Sequence, residues 1–255
     1  MDEAGRLHEA ARSSFEALCA AFDDASFERR EGYDLVLFPQ VPIPEFNAIW
    51  PLDDEAAAAA LPDAIAEIEA QGISPGVQFR AGRAPATAET ARVLGLTVEA
   101  AEPGMAVSAA DFVAPDAADL EIVRIETPDG LAQALAVAVA GFGIPAEILA
   151  PLYGLEVGAA EGMAVYLGRV DGRDVSTSVG FTLDDTVGIF NVATPPEHRG
   201  RGYGAALTAA AAQEGFAAGA ELAWLQSSPL GLPVYRRLGF REVETYVLLS
   251  RPSLD

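Results

Sequence analysis

The sequence predicts an α+β fold built on a mixed sheet and laid down twice along the chain. Three observations carry that prediction. Residues from about 118 onward read as strand, two helices, three strands, helix, strand, helix and strand. Two-residue turn signals, Asp171-Gly172 and Asp184-Asp185, separate the three consecutive strands, which therefore pair as an antiparallel meander. The first half repeats the same plan in a worn form.

Taken in order, Leu120 to Ile125 alternates as a strand should. Pro128 opens an Ala/Leu-rich helix with Thr127 as its N-cap. Gly141-Phe142-Gly143-Ile144-Pro145 breaks that helix, and a shorter one runs to about Leu152. The meander comprises Met163 to Val170, Val175 to Leu183 and Thr186 to Thr194, and Pro195-Pro196 stops it. A glycine-rich turn leads into a helix from Ala205 to Ala218. The strand Leu222 to Gln226, a short helix ending at Leu238-Gly239 and a final pair of strands through Ser250 complete the half.

Four features recur in the same order in the first half. Phe46-Asn47-Ala48-Ile49 parallels Phe190-Asn191-Val192-Ala193, and a helix from Asp53 to Ala70 ends at Gly72 as the later one ends at Gly219. A short strand carries Gln78 as the later one carries Gln226. Arg92-Val93-Leu94-Gly95-Leu96 then matches Arg236-Arg237-Leu238-Gly239-Phe240, and both run into a closing strand. The join falls near Asp111 to Asp119, giving domains at 1–115 and 116–255. Residues 50–55, Trp-Pro-Leu-Asp-Asp-Glu, stand where the second half has its glycines. Three carboxylates there satisfy their own helix and repel a phosphate, so one binding site per chain is expected, in the second half.

Bulk properties narrow the function classes. No apolar run reaches the roughly 18–20 residues of a membrane span. The start, Met1-Asp2-Glu3, has no basic segment followed by an apolar one, and a single cysteine, Cys19, fits a reducing compartment, so a cytoplasmic location is expected. A net charge of −22 disfavours nucleic acid and anionic membranes as partners. His8, Cys19 and His198 are too scattered for an N/S metal site, and no carboxylate metal motif is present, so no metal is expected. All 16 basic residues are arginine, a compositional bias alongside the many alanines.

The most informative stretch is His198-Arg199-Gly200-Arg201-Gly202-Tyr203-Gly204, set between a strand and a helix. Alternating glycines leave backbone N–H groups unshielded, and the helix that follows points its positive end at the same spot. Arg199 and Arg201 add mobile positive charge. The combination makes a cradle for a doubly charged phosphate group.

Strand, proline, Arg-x-x-Gly-x-Gly, helix, strand and then Tyr235-Arg236-Arg237-Leu238-Gly239-Phe240 resembles the GNAT superfamily of acyl-CoA N-acetyltransferases over about residues 118–250. That resemblance implies a GNAT-like mixed central sheet flanked by helices, in two tandem copies, the first degenerate and without the cofactor motif. It implies acetyl-CoA as acetyl donor, with Val192, Ala193 and Thr194 pairing with the pantetheine arm like an added strand, freed by a splay commonly made at a bulge. Gly200, Arg201, Gly202, Tyr203, Gly204 and Ala205 would surround the pyrophosphate, Arg199 and Arg201 would assist, and Ser228 would stand in for an asparagine that many relatives place after this strand. Tyr235 would protonate the departing thiolate.

The implied reaction is direct attack of an amine on the thioester through a tetrahedral intermediate, with an oxyanion-stabilising N–H near Val192 to Thr194. Gln226 stands where some relatives have a glutamate base, and a neutral amide cannot remove a proton. Glu156, Glu161, Asp184, Asp185 and the C-terminal carboxylate remain as candidates, as does ordered water. Phe142 and Tyr153 are candidates to line an acceptor pocket with Glu147 at its rim. The acceptor is an unidentified amine of a small molecule or peptide, and the chain is expected to be a monomer or homodimer. Two other classes stay open: a non-catalytic acyl-CoA sensor, and an interaction protein using the first half as an interface.

Overall fold

The computed structural model describes residues 2–115 and 119–252. In chain order the elements are α1 (Glu3–Ala20), β1 (Ser26–Arg30), β2 (Tyr33–Leu37), β3 (Ala48–Pro51), α2 (Asp54–Glu69), β4 (Gly76–Arg80), α3 (Pro85–Val93) and β5 (Val98–Ser108). The second half continues with β6 (Glu121–Ile125), α4 (Pro128–Phe142), α5 (Ala146–Leu149), α6 (Leu155–Ala159), β7 (Met163–Val170), β8 (Arg173–Leu183) and β9 (Thr186–Ala193). It ends with α7 (Tyr203–Ala217), β10 (Leu222–Gln226), α8 (Leu232–Arg237) and β11 (Arg241–Ser250). From α1 to β5 and from α4 to β11 the order is the same, apart from the short helices α5 and α6, and β6 is an addition of the second half. The mixed α+β class and the repeated plan hold.

Local chemistry explains the boundaries. Thr127 caps α4 by accepting the N–H of Gly130 at 3.2 Å, and Gly143 ends that helix at φ +71°. Asp171 and Gly172 both have positive φ, as a two-residue hairpin between twisted strands requires. The last element is one ten-residue strand rather than a pair, because Gly239 has already turned the chain and nothing from Arg241 to Ser250 breaks it.

Packing divides the chain into two compact units that do not follow its halves: residues 1–14 with 104–243, and residues 15–103 with 244–255. In the unit holding residues 104–243, β6 to β9 form an antiparallel series, β9 runs parallel to β10, and β10 pairs antiparallel with Gly104 to Ser108 of β5. In the unit holding residues 15–103, β1 to β3 form the series, β3 runs parallel to β4, and β4 pairs antiparallel with Tyr246 to Ser250 of β11. Each sheet is therefore completed by the closing strand of the other half. Met105 and Val107 belong to the core of Leu207, Leu225, Leu238 and Phe240, whereas Val247 and Leu249 belong to that of Leu35, Leu61, Ile68 and Phe79.

The two halves also match less closely than their sequences imply. Asn47 lies before β3, its side chain bonded to Phe38 N and to the carbonyls of Val41 and Ile43, while Asn191 lies inside β9. Gln78 is mid-strand in β4 and Gln226 ends β10. The ends of α3 and α8 do correspond. Leu96 N–H donates to Ala91 O at 3.0 Å and Phe240 N–H to Tyr235 O at 3.1 Å, with Gly95 and Gly239 at φ +91° and +90°.

Candidate active site

The site is built where β9 and β10 part. They pair from Thr186–Leu222 to Gly188–Trp224 and no further, although β9 continues to Ala193. The cause is a bulge: the β8–β9 register slips between Val179–Phe190 and Thr177–Ala193, and Asn191 takes φ +52°. Asparagine is among the few non-glycine residues that tolerate this conformation, and that was the signal available in the sequence. From Ile189 to Ala193 the edge of β9 facing β10 carries no strand. Phe190 stands perpendicular to Trp224 across the parting, ring centroids 5.2 Å apart.

Beyond β9, a single 3₁₀ turn at Pro196–His198 leads into the glycine stretch. Gly200 and Gly202 have φ +75° and +84°, a conformation costly for any residue with a Cβ, and open space surrounds both. Among the described residues, no backbone carbonyl accepts the N–H groups of Gly200, Arg201, Gly202, Tyr203, Gly204 or Ala205; the first helical bond is Ala206 N–H to Gly202 O at 3.0 Å. Six consecutive donors are therefore without a backbone acceptor at the positive end of a 15-residue helix. The exposed Arg201 makes no ion pair or hydrogen bond within the described residues. Arg199 is different: Nε donates to Thr194 O at 3.0 Å and Nη2 to Gly141 O at 2.8 Å.

Ala193 and Thr194 are partly engaged by the protein itself. Ser176 Oγ donates to Ala193 O at 2.9 Å and lies 2.8 Å from Thr194 Oγ1. Val192 packs at the edge of the core that contains Tyr235, and Thr194 lies one residue past the strand. Ser228 is exposed after β10, its Oγ accepting Gly231 N–H at 3.2 Å. Tyr235 lies buried on α8, 8% exposed, with its ring 6.0 Å from that of Phe240. At the corresponding position the first half has Ala91.

The base candidates separate by position. Asp184 and Asp185 form the β8–β9 hairpin, at the opposite end of β9 from the bulge, roughly 20 Å away along an extended strand. Asp185 is paired with Arg6 and lines a cavity of about 370 Å³ with Glu9, Ser13 and Thr186, away from the cradle. Glu156 and Glu161 are exposed, and Asp255 lies outside the described residues. Tyr153 is buried, which pushes its phenol pKa up, with Thr177 beside it drawing it partly back; Phe142 is 43% exposed.

In the first half, the carboxylates at the start of α2 are divided between two helices. Asp53 caps α2 through Ala56 N–H, whereas Asp54 accepts the N–H groups of Ala86 and Thr87 and the Thr87 hydroxyl at the start of α3. Burial pushes the Asp54 carboxyl up, but those hydrogen bonds outweigh it and hold its pKa below the ordinary value.

Residues 161–242 match the model of the acetyltransferase (GNAT) domain. The second half therefore contains a stretch similar to the GNAT domain. The whole chain is similar in fold to a GCN5-related N-acetyltransferase from Kribbella flavida, with 19% identity, a TM-score of 0.73 and coverage of 97% of this chain and 96% of that one. A GCN5-related N-acetyltransferase from Sphaerobacter thermophilus aligns with 16% identity, a TM-score of 0.64 and coverage of 88% and 78%. A tandem GNAT protein from the clavulanic acid biosynthesis pathway aligns with 15% identity, a TM-score of 0.56 and coverage of 91% and 85%. No curated protein matches the sequence. The matched stretch holds the bulged strand, the glycine turn and Tyr235. Among the described residues no helix is long and apolar enough to cross a membrane, and no cluster of His, Cys, Asp and Glu is arranged to hold a metal.

Proposed function

We propose that the protein is a cytoplasmic, acetyl-CoA-dependent N-acetyltransferase that moves an acetyl group directly to the amine of a small molecule or peptide. The observation that carries this reading is the junction of the bulged, half-unpaired β9 with the six N–H donors of residues 200–205 that have no backbone acceptor. An extended polar arm ending in a pyrophosphate fits both at once: the arm lies along Val192 to Thr194 and the phosphates meet the cradle. In this reading Arg201 adds charge to the phosphates, and the Ser228 hydroxyl, just past β10, meets the arm from that side. The duplicated plan supports the division at 115–116 as the mark of a duplication whose first copy lost its cofactor motif.

In the reaction, the amine nitrogen attacks the thioester carbonyl carbon and a tetrahedral intermediate forms. Its C–S bond then breaks, and the sulfur takes a proton from the Tyr235 hydroxyl while the new amide loses one to water. Catalysis rests on holding thioester and amine together and on N–H donors of the bulged strand facing the oxyanion. The neutral Gln226, on β10 at the parting, favours one competing reading, a non-catalytic acyl-CoA sensor. Thiol release from acetyl-CoA against a panel of amines tests both. Turnover of any amine that is lost in Tyr235→Phe supports the enzyme, CoA binding without turnover across the panel supports the sensor, and absence of CoA binding refutes both.

A further inference from the structure

The two contacts of Arg199 join parts of the site that the chain keeps far apart. Gly141 lies in the last turn of α4, where carbonyls have no intrahelical partner, and Arg199 Nη2 takes its oxygen at 2.8 Å. A cation there is also favoured by the helix dipole. The same turn rests directly on the end of β9: a Cβ at Gly141 would stand 2.9 Å from Ala193 Cβ and 3.1 Å from Thr194 N. Thr194 is then held twice more, by Arg199 Nε on its carbonyl and by Ser176 on its hydroxyl. The phosphate loop, the arm-binding strand and the end of α4 thus meet at one guanidinium, and the chain from Gly143 to Ala160 departs from that point.

We propose that Arg199 is a positioning residue, a two-pronged latch tying the phosphate loop to the last turn of α4, so that CoA seated in the cradle fixes the segment 143–160. This rests on the functional reading above and assigns Arg199 a different role from Arg201, which has no protein partner and is placed as a phosphate contact. Only a guanidinium serves both carbonyls. It presents a planar fork of five N–H donors, whereas a lysine ammonium keeps the charge but is a compact point on a flexible stem.

The test is amide hydrogen exchange on the full chain, free and with CoA, for wild type, Arg199→Lys and Arg201→Ala, with CoA affinity measured by calorimetry. In the free protein, Arg199→Lys should raise exchange of residues 139–145 and 194–200 together by about fivefold or more, leaving β10 unchanged as the sign that the variant is folded. Arg201→Ala should leave both segments alone. In wild type, CoA should slow exchange across 143–160, and Arg199→Lys should lose that protection while still binding CoA. Unchanged exchange at 139–145 in Arg199→Lys overturns the latch. So does retention of CoA-induced protection at 143–160, which would make Arg199 an ordinary source of charge. If wild type binds no CoA, the functional reading falls, and the free-protein exchange still decides whether the latch exists.

Discussion

The two ends of α7 provide a matched pair of substitutions. Gly202 precedes the helix at φ +84° and Gly219 follows it at φ +108°, and a Cβ at either position meets nothing within 4 Å. Replacement by alanine therefore adds no clash, and the cost is the backbone conformation alone, about 1–2 kcal/mol at each site. For a chain of this size each kcal/mol lowers Tm by about 2–4 °C, so both variants should melt roughly 2–8 °C early. The stability effects are alike, but the ligand effects are not. On the function proposed above, the open space at Gly202 is where the pyrophosphate would sit, and a methyl there would hold the phosphates off the N–H donors. CoA affinity should fall more than about tenfold, a loss above about 1.4 kcal/mol, while Gly219→Ala binds as wild type does. Melting followed by tryptophan fluorescence reports on each unit, since Trp50 and Trp224 are each buried in one of them, and calorimetry gives the affinity. Wild-type CoA affinity in Gly202→Ala, with Gly219→Ala showing the backbone penalty, would refute the cradle.

Tyr235→Phe keeps the ring on Phe240 and removes only the hydroxyl, so kcat should fall about 100-fold, with CoA affinity within about threefold of wild type. A joint collapse of affinity and Tm would make Tyr235 structural. Cys19 is buried, and burial pushes its thiol pKa up to about 12, so it should react with a disulfide reagent only on unfolding; rapid labelling of the native protein contradicts this. Because the free thiol ionises earlier in the unfolded chain, that burial also subtracts stability as pH rises above about 9. Asp54→Ala leaves two N–H groups at the start of α3 without an acceptor and should cost about 1–2 kcal/mol at neutral pH by urea unfolding. The Asp54 pKa is depressed in the folded state, so its contribution is present above the unfolded value of about 3.9 and disappears as pH falls through the folded value. An equal difference between variant and wild type at pH 7 and pH 2 would disprove that account.

What was legible in the sequence was local. Thr127 before Pro128 caps its helix and Asp-Gly turns between two strands as expected, and Gly200 and Gly202 take the positive φ their residue type permits, each acting within a few residues of itself. What was not legible depends on partners chosen at a distance. Arg199 reads as a phosphate ligand because its charge is in the sequence, whereas the carbonyls of Thr194 and Gly141 that receive it are common to every residue type. Asp54 reads as a charge at the start of α2, and nothing local says that Ala86 and Thr87 will claim it. Val98–Ser108 and Arg241–Ser250 follow the same helix ending and offer the same kind of antiparallel edge, so neither announces which parallel pair it will complete.

The exchange of closing strands accounts for why a half without a cradle endures. Asp53 caps α2 where the second half has the bare Gly202, and Ala91 stands where it has Tyr235. The closing strand of the first half is not dispensable. Met105 and Val107, both fully buried, lie in the same core as Tyr235 and Phe240, on the strand beside β10. Each such side chain contributes about 1.5–3 kcal/mol by burial, against a net stability of about 5–15 kcal/mol for a whole domain. In return, Val247 and Leu249 of the second half lie in the first half's core. Residues that complete a neighbouring sheet are constrained by folding itself, and the cradle of the second half rests on that constraint.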